Sequence, residues 1–167
     1  MSPIDWATRP LKKYADFSGR APRAEYWWFY LLVILAYAVA MILDSIVGIP
    51  LLGPYGVVTG IVLLALLLPS LAAGVRRLHD TNRSGWWMAG PILSYAIGFA
   101  MMGQLVLDPA AVQDGSADLG SMGLAMIFLL IGFALAVTLF VFLVLPGTRG
   151  PNKYGDDPYA GGTARAM

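Results

Sequence analysis

Arg76-Arg77-Leu78-His79-Asp80-Thr81-Asn82-Arg83 stands between two long uncharged runs, Ser45 to Val75 before it and Ser84 to Leu107 after it. Placing one such charge at mid-bilayer costs about 2.5 to 3.5 kcal/mol on insertion scales, so burying Arg76, Arg77, Asp80 and Arg83 together would cost on the order of 10 kcal/mol. The octet therefore ends one membrane span and precedes another. Two further uncharged runs lie outward of these, Tyr26 to Leu43 and Leu119 to Thr148. All four runs approach or exceed the roughly 20 helical residues needed to cross a hydrocarbon core about 30 Å thick. Unpaired backbone groups are prohibitive in lipid, so runs of this length must be helical. The expected fold is all-α, a polytopic membrane protein of four transmembrane helices at about 26–47, 57–75, 86–107 and 122–145.

Composition agrees with a lipid-facing chain. Of 167 residues, 13% are charged and 58% apolar, where a soluble domain carries about 25% charged residues. There is no cysteine, which excludes disulfides, thiolate metal sites, thioether haem attachment and cysteine lipidation. With a single histidine besides, neither a metal nor a cofactor is expected. The first apolar run follows 25 polar and mixed residues and exceeds the apolar core of about 7 to 15 residues found in cleaved signals, so it is expected to be retained.

Charge sidedness sets the expected orientation. Five basic residues precede the first span (Arg9, Lys12, Lys13, Arg20, Arg23), three separate the second and third (Arg76, Arg77, Arg83), and three follow the fourth (Arg149, Lys153, Arg165). With Asp5, Asp16, Glu25, Asp80, Asp156 and Asp157 included, that side carries eleven cations against six acids, a balance of +5. The opposite side carries only Asp44, Asp108, Asp114 and Asp118, or −4. Cytoplasmic loops are enriched in lysine and arginine, which places both termini inside. The resulting organisation is a cytoplasmic segment 1–25, a four-helix membrane domain 26–148 and a cytoplasmic tail 149–167.

Local signals refine these boundaries. Pro10 is placed to start a short helix bearing Leu11 and Tyr14 on one face, which would lie on the membrane surface; a mobile tail is the alternative. Ser18 and Gly19 read as the start of the first span's helix, with Pro22 in its first turn. Tyr26-Trp27-Trp28 and Trp86-Trp87 are aromatic anchors for headgroup level, and Ser84 reads as a cap. Gly48, Pro50, Gly53, Pro54 and Gly56 mark a turn, and Pro69 should kink the second span. Gly90, Ser94 and Gly98, like Gly56 and Gly60, have the spacing that allows close helix packing in lipid.

The chemical candidates gather on the inner side. On a helix prolonged past the bilayer, Arg76, His79, Asp80 and Arg83 would share a face and could hold a phosphate between guanidinium groups, with Asp80 orienting His79. The structural alternative has the arginines ending the span and meeting lipid phosphates while Asp80 neutralises them. Arg20, Arg23 and Glu25 face the same side, with Glu25 placed to pair with an arginine from elsewhere, and so does Asn152 in the tail. The candidate anion- or partner-binding set is therefore Arg20, Arg23, Glu25, Arg76, Arg77, His79, Asp80, Arg83 and Asn152.

Asp16-Phe17-Ser18-Gly19-Arg20 through Trp28, Arg76-Arg77-Leu78-His79-Asp80 through Trp87, and Gly150-Pro151-Asn152-Lys153-Tyr154-Gly155 with Asp157-Pro158 resemble the signatures of a family of small bacterial inner-membrane proteins, domain of unknown function family 805. The resemblance covers about residues 12 to 158, without the Asp108 to Gly120 loop. It implies a bacterial inner-membrane location and a four-span domain, and no activity. The residues themselves favour a non-enzymatic module that binds anionic lipid headgroups or a membrane-protein partner through its cytoplasmic face, with no nucleic acid involved. A small transporter or channel subunit is the first alternative, although Asp44, Gln104 and Thr59 offer little intramembrane polarity for an ion path. A lipid-headgroup enzyme using His79 as acid or base is the second; no nucleophile or second catalytic carboxylate accompanies it.

Overall fold

The computed structural model describes residues 1–48, 50–52, 55–107 and 119–160. Gly53, Pro54, Asp108, Asp114, Asp118 and Arg165 lie outside the described residues. The elements are α1 (Pro3–Lys12), α2 (Arg23–Val47), a short antiparallel hairpin of β1 (Pro50–Leu52) and β2 (Tyr55–Gly56), α3 (Val57–Asp80), a 3-10 turn (Gly85–Met88), α4 (Ala89–Leu107) and α5 (Leu119–Val144).

Among the described residues, three helices are long and apolar enough to cross a membrane: Arg23–Val47, Val57–Asp80 and Gly120–Val144. Only 11%, 28% and 11% of their most apolar stretches are buried within the protein. Large side chains such as Ile42, Leu64, Leu130 and Phe133 are more than 60% exposed. Helices that are apolar all round and outward-facing have hydrocarbon as their solvent. The chain is therefore a multi-pass membrane protein. The remaining long helix, α4, has 19 residues.

The chain falls into two compact units, 1–84 with 146–167, and 85–145. In the first, α2 and α3 are antiparallel neighbours tied at both ends. Near the end of α2, the Asp44 carboxylate accepts from the backbone amides of Val58 at 2.8 Å and Thr59 at 2.9 Å. Those donors would otherwise be orphans of the α3 N-terminus, and a carboxylate there also complements the helix dipole. Gly56 makes room for this cap, because a Cβ at that position would collide with the Asp44 side chain. The polar group considered above for transport is thus a helix cap. Asp44→Ala is expected to lower the thermal unfolding temperature of the protein in detergent through loss of this cap, with Asp44→Asn lowering it less.

Between these ends Phe29, Val33 and Ala73 form the core, flanked by Tyr26, Leu32, Tyr37 and Leu66. Pro69 has no amide proton, which frees its usual acceptor, the Ala65 carbonyl. The Tyr14 hydroxyl donates to that carbonyl at 2.5 Å. The N-terminal segment therefore makes good the backbone bond that the proline removes.

Several local expectations are corrected. The short helix does not start at Pro10: α1 opens at Pro3, with a reciprocal capping box between Ser2 and Asp5, and runs through Pro10 to Lys12. Tyr14 lies beyond its end. Ser18 does not start α2, since its amide and hydroxyl both bond Asp16, and α2 begins after Pro22 in extended conformation. Trp86 and Trp87 lie in the 3-10 turn, and α4 begins only at Ala89.

In the second unit α4 packs on α5 through the small-residue stripe. Ser94 is buried and its hydroxyl donates to the Phe128 carbonyl at 2.6 Å. A Cβ on Gly98 would come within 2.9 Å of Leu129 and 3.2 Å of the Ala125 carbonyl. That close approach is what the four-residue spacing of Gly90, Ser94 and Gly98 encodes. Trp87 sets its ring edge-on to Phe142 at 5.1 Å.

Candidate functional site

The last turn of α3 is charged and yet buried: Arg76, Arg77, Leu78 and Asp80 are each 0% exposed. Such a turn persists only if every charge finds an opposite charge or a carbonyl. The chain supplies these from its two ends.

Asp80 divides its oxygens between two guanidinium groups. Oδ1 accepts from Arg20 Nε at 3.0 Å, and Oδ2 pairs with Arg77 Nη1, one helical turn back. Arg20 then reaches into the tail, donating from Nη2 to the Thr148 carbonyl at 2.6 Å and from Nη1 to the Gly150 carbonyl at 2.7 Å. The Thr148 amide donates back to the Asp80 carbonyl at 2.8 Å. Asn152 Nδ2 donates to the His79 carbonyl at 3.0 Å and to Thr148 Oγ1 at 2.8 Å. The tail thus occupies carbonyls at the α3 C-terminus that have no partner within the helix. Gly147 is required by this approach, because a Cβ there would enter the Asp80 carboxylate.

Glu25, at the start of α2 and 1% exposed, forms a second clasp. Its Oε1 accepts from Arg76 Nη2 at 3.2 Å, and Oε2 pairs with Arg9 of α1 at 3.4 Å. Arg76 Nη1 also donates to the Asp16 carbonyl, and the Arg76 carbonyl accepts from the Ala21 amide at 3.0 Å. The expected arginine partner for Glu25 exists, and there are two of them.

The shared helical face does not form. α3 stops at Asp80, and the amides of Asn82 and Arg83 bond back to the carbonyls of His79 at 3.0 Å and Leu78 at 2.9 Å. With Asn82 left-handed at φ 60°, this is a Schellman termination, and asparagine is one of the few residues that tolerates it. Arg83 is turned off the helix, where its Nη1 donates to the Thr81 carbonyl. Asp80 does not orient His79 either. His79 Nδ1 lies 3.2 Å from the Gly19 carbonyl, which can only accept, so Nδ1 carries the proton. Its ring stacks on Tyr154 at 3.8 Å with an interplanar angle of 4°. Arg76 and Arg77 do not meet lipid phosphates at a surface; they are the interior of the junction.

Residues beyond the sequence-based set complete it. The Asp157 carboxylate accepts from the amides of Gly150 and Tyr159, both at 2.9 Å, and shapes the tail. The Tyr159 hydroxyl, raised above its usual pKa by burial, accepts from the Arg23 amide at 3.1 Å. That supplies the cap that Pro22 cannot offer to α2. Asp-x-Tyr in the tail was the available signal, but only contact with a helix start assigns it this role. Of the interfacial aromatics, Tyr26 and Trp27 contact each other and, one turn on, Tyr30, Trp28 lies on α2 beside them, and Trp86 is 83% exposed. Among the described residues, no group of three metal-binding side chains converges.

Arg20, Glu25, Arg76, Arg77, Asp80, Thr148 and Asn152 fall within 14–156, the stretch that matches the family described as Protein of unknown function (DUF805). The chain belongs to the DUF805 family. This DUF805 protein is 35% identical over 158 residues to inner membrane protein YhaI of Escherichia coli strain K12, covering 95% of the chain and 98% of the relative. It is 33% identical over 155 residues to inner membrane protein YhaH of the same strain, covering 93% and 97%. An uncharacterized protein of that strain, YiiR, is 30% identical over 142 residues, 85% of each chain. No solved structure matches. The multi-pass helices and these relatives together place the DUF805 protein in the inner membrane.

Proposed function

We propose that this protein is a four-span inner-membrane module with both termini in the cytoplasm, which engages anionic lipid headgroups or a membrane partner through a preformed cationic inner face. One observation carries the proposal: Arg20, Asp80 and Thr148, from three distant segments, bond within a single junction. Groups that meet in this way lie on one side of a membrane. The chain leaves the junction after Arg83 and returns to it by Thr148, so the intervening stretch crosses an even number of times, and it contains two long helices, α4 and α5. α2 and α3, antiparallel and tied at both ends, make the other two crossings. The abundance of lysine and arginine in the junction's segments favours the cytoplasmic side.

Binding is favoured over catalysis because the carboxylates of Glu25 and Asp80 are each clasped by two guanidinium groups and held structurally. Arg20, Arg76, Arg77, His79 and Asn152 then serve as the frame, with Arg23 and Arg83 at its edge. The frame fixes the positions of Lys12, Arg149 and Lys153, which are exposed and suited to headgroup phosphates. A periplasm-active reporter fused after Met167 should be silent, and one inserted at Asp114 active; the reverse pattern overturns the orientation. Native mass spectrometry from mixed-lipid nanodiscs should retain phosphatidylglycerol over phosphatidylethanolamine, with the preference lost on joint Lys12→Glu, Arg149→Glu and Lys153→Glu substitution. An unchanged lipid profile would remove the headgroup part.

A further inference from the structure

Beside the junction, an apolar furrow of about 600 Å³ runs along α2, with Ala36 and Ala40 among its lining and Leu35, Val39 and Leu43 beside them. Its inner end is bounded by Trp28 and by Pro3, Ile4 and Ala7 of α1, and its far end by Leu43 and Val58. We propose that this furrow seats one acyl chain of an anionic phospholipid. The proposal deepens the headgroup-binding function above and rests on it.

Position, width and charge support that occupant. α1 has an apolar side formed by Pro3, Ile4, Ala7 and Leu11 and a polar side formed by Asp5, Arg9 and Lys12. A helix of that pattern lies at the boundary of headgroups and acyl chains, where tryptophan also collects. Two separate markers thus put the furrow's inner end at the depth where an acyl chain leaves its headgroup. From Trp28 to Leu43 the furrow follows about 22 Å of helix at 1.5 Å per residue, deeper than one leaflet's hydrocarbon of about 15 Å. Spread over that length, its volume corresponds to a mean cross-section of roughly 30 Å², against on the order of 80 Å² for a helix about 10 Å across. A furrow of that width matches one extended hydrocarbon chain and is narrower than a whole helix. Arg9 and Lys12, on the water-facing side of the same α1, supply charge for a phosphate; the Arg9 side chain stays 39% exposed beside Glu25.

The test uses the full chain in phosphatidylethanolamine nanodiscs doped with phosphatidylglycerol that carries a diazirine on one acyl chain. Irradiation and peptide mapping should concentrate adducts on Leu31, Leu35, Val39 and Ile4, above the level on the outward face of α5. Ala36→Phe, which fills the furrow, should reduce those adducts at least fivefold and leave the α5 adducts unchanged; Ala36→Leu, a smaller insertion that serves as the test if the Phe variant does not fold, should reduce them at least twofold. A phosphatidylcholine probe should label the furrow at least threefold less. Even labelling of α2, α4 and α5, labelling indifferent to both Ala36 variants, or a furrow that is silent because a second polypeptide covers it would each overturn the proposal. If phosphatidylglycerol is still retained in native mass spectra after such a result, the headgroup function stands and only the furrow assignment falls.

Discussion

Asp80→Ala is expected to lower the thermal unfolding temperature of the purified protein by on the order of 10 °C, from a loss of roughly 3–5 kcal/mol. The carboxylate is 0% exposed and compensates both Arg20 and Arg77, themselves nearly or fully buried. Its removal takes from both guanidinium groups the carboxylate they share. The cost comes from the buried positive charge more than from the lost bonds, because a buried pair gains little over an apolar replacement of the same shape. Joint Asp80→Leu and Arg77→Met should therefore recover part of the loss, leaving Arg20 with its tail carbonyls. Recovery would appear as a non-additive double-mutant cycle. If Asp80→Ala unfolds within about 2 °C of the parent, the junction does not hold the fold together.

Glu25→Ala should cost about as much, for the same reason, and release a different segment. Arg76, fully buried, would keep only backbone acceptors such as the Asp16 carbonyl. Arg9 would lose the contact that ties α1 to α2. Besides a loss of roughly 3 kcal/mol or more, limited proteolysis in detergent should cut between Arg9 and Lys13 faster than in the parent. Glu25→Gln keeps an acceptor for Arg76 and should fall between the two. Unchanged cleavage would mean that α1 is held by its apolar face alone.

Much of the membrane architecture was legible in the chain because hydrophobic length and charge are local properties. Runs such as Tyr26 to Leu43 announce helices wherever they are folded, and the four-residue spacing of Gly90, Ser94 and Gly98 encodes a close contact whichever helix answers it. Short-range chemistry was legible too, though easily misassigned. Pro10, read as a helix start, lies inside α1, whose start is the Ser2 and Asp5 capping box, and Asn82 follows the stop of α3. Arg76, His79, Asp80 and Arg83 were expected to share a helical face because periodicity alone does not say where a helix ends.

The roles of the polar residues depended on partners distant in sequence. Asp44 looks like an intramembrane charge until the α3 N-terminus is set against it, and Tyr14 has no evident task until Pro69 frees a carbonyl within its reach. His79 and Asp80, adjacent and expected to pair with Asp80 orienting the imidazole, are drawn apart to Tyr154 and Arg20. Hydrophobic length and charge bias, summed along the chain, determined by themselves that it enters a membrane as several helices. Which charges are buried, and which partner each one holds, was decided only by tertiary structure, because the desolvation cost of a buried arginine is met by groups that folding brings from more than 50 residues away.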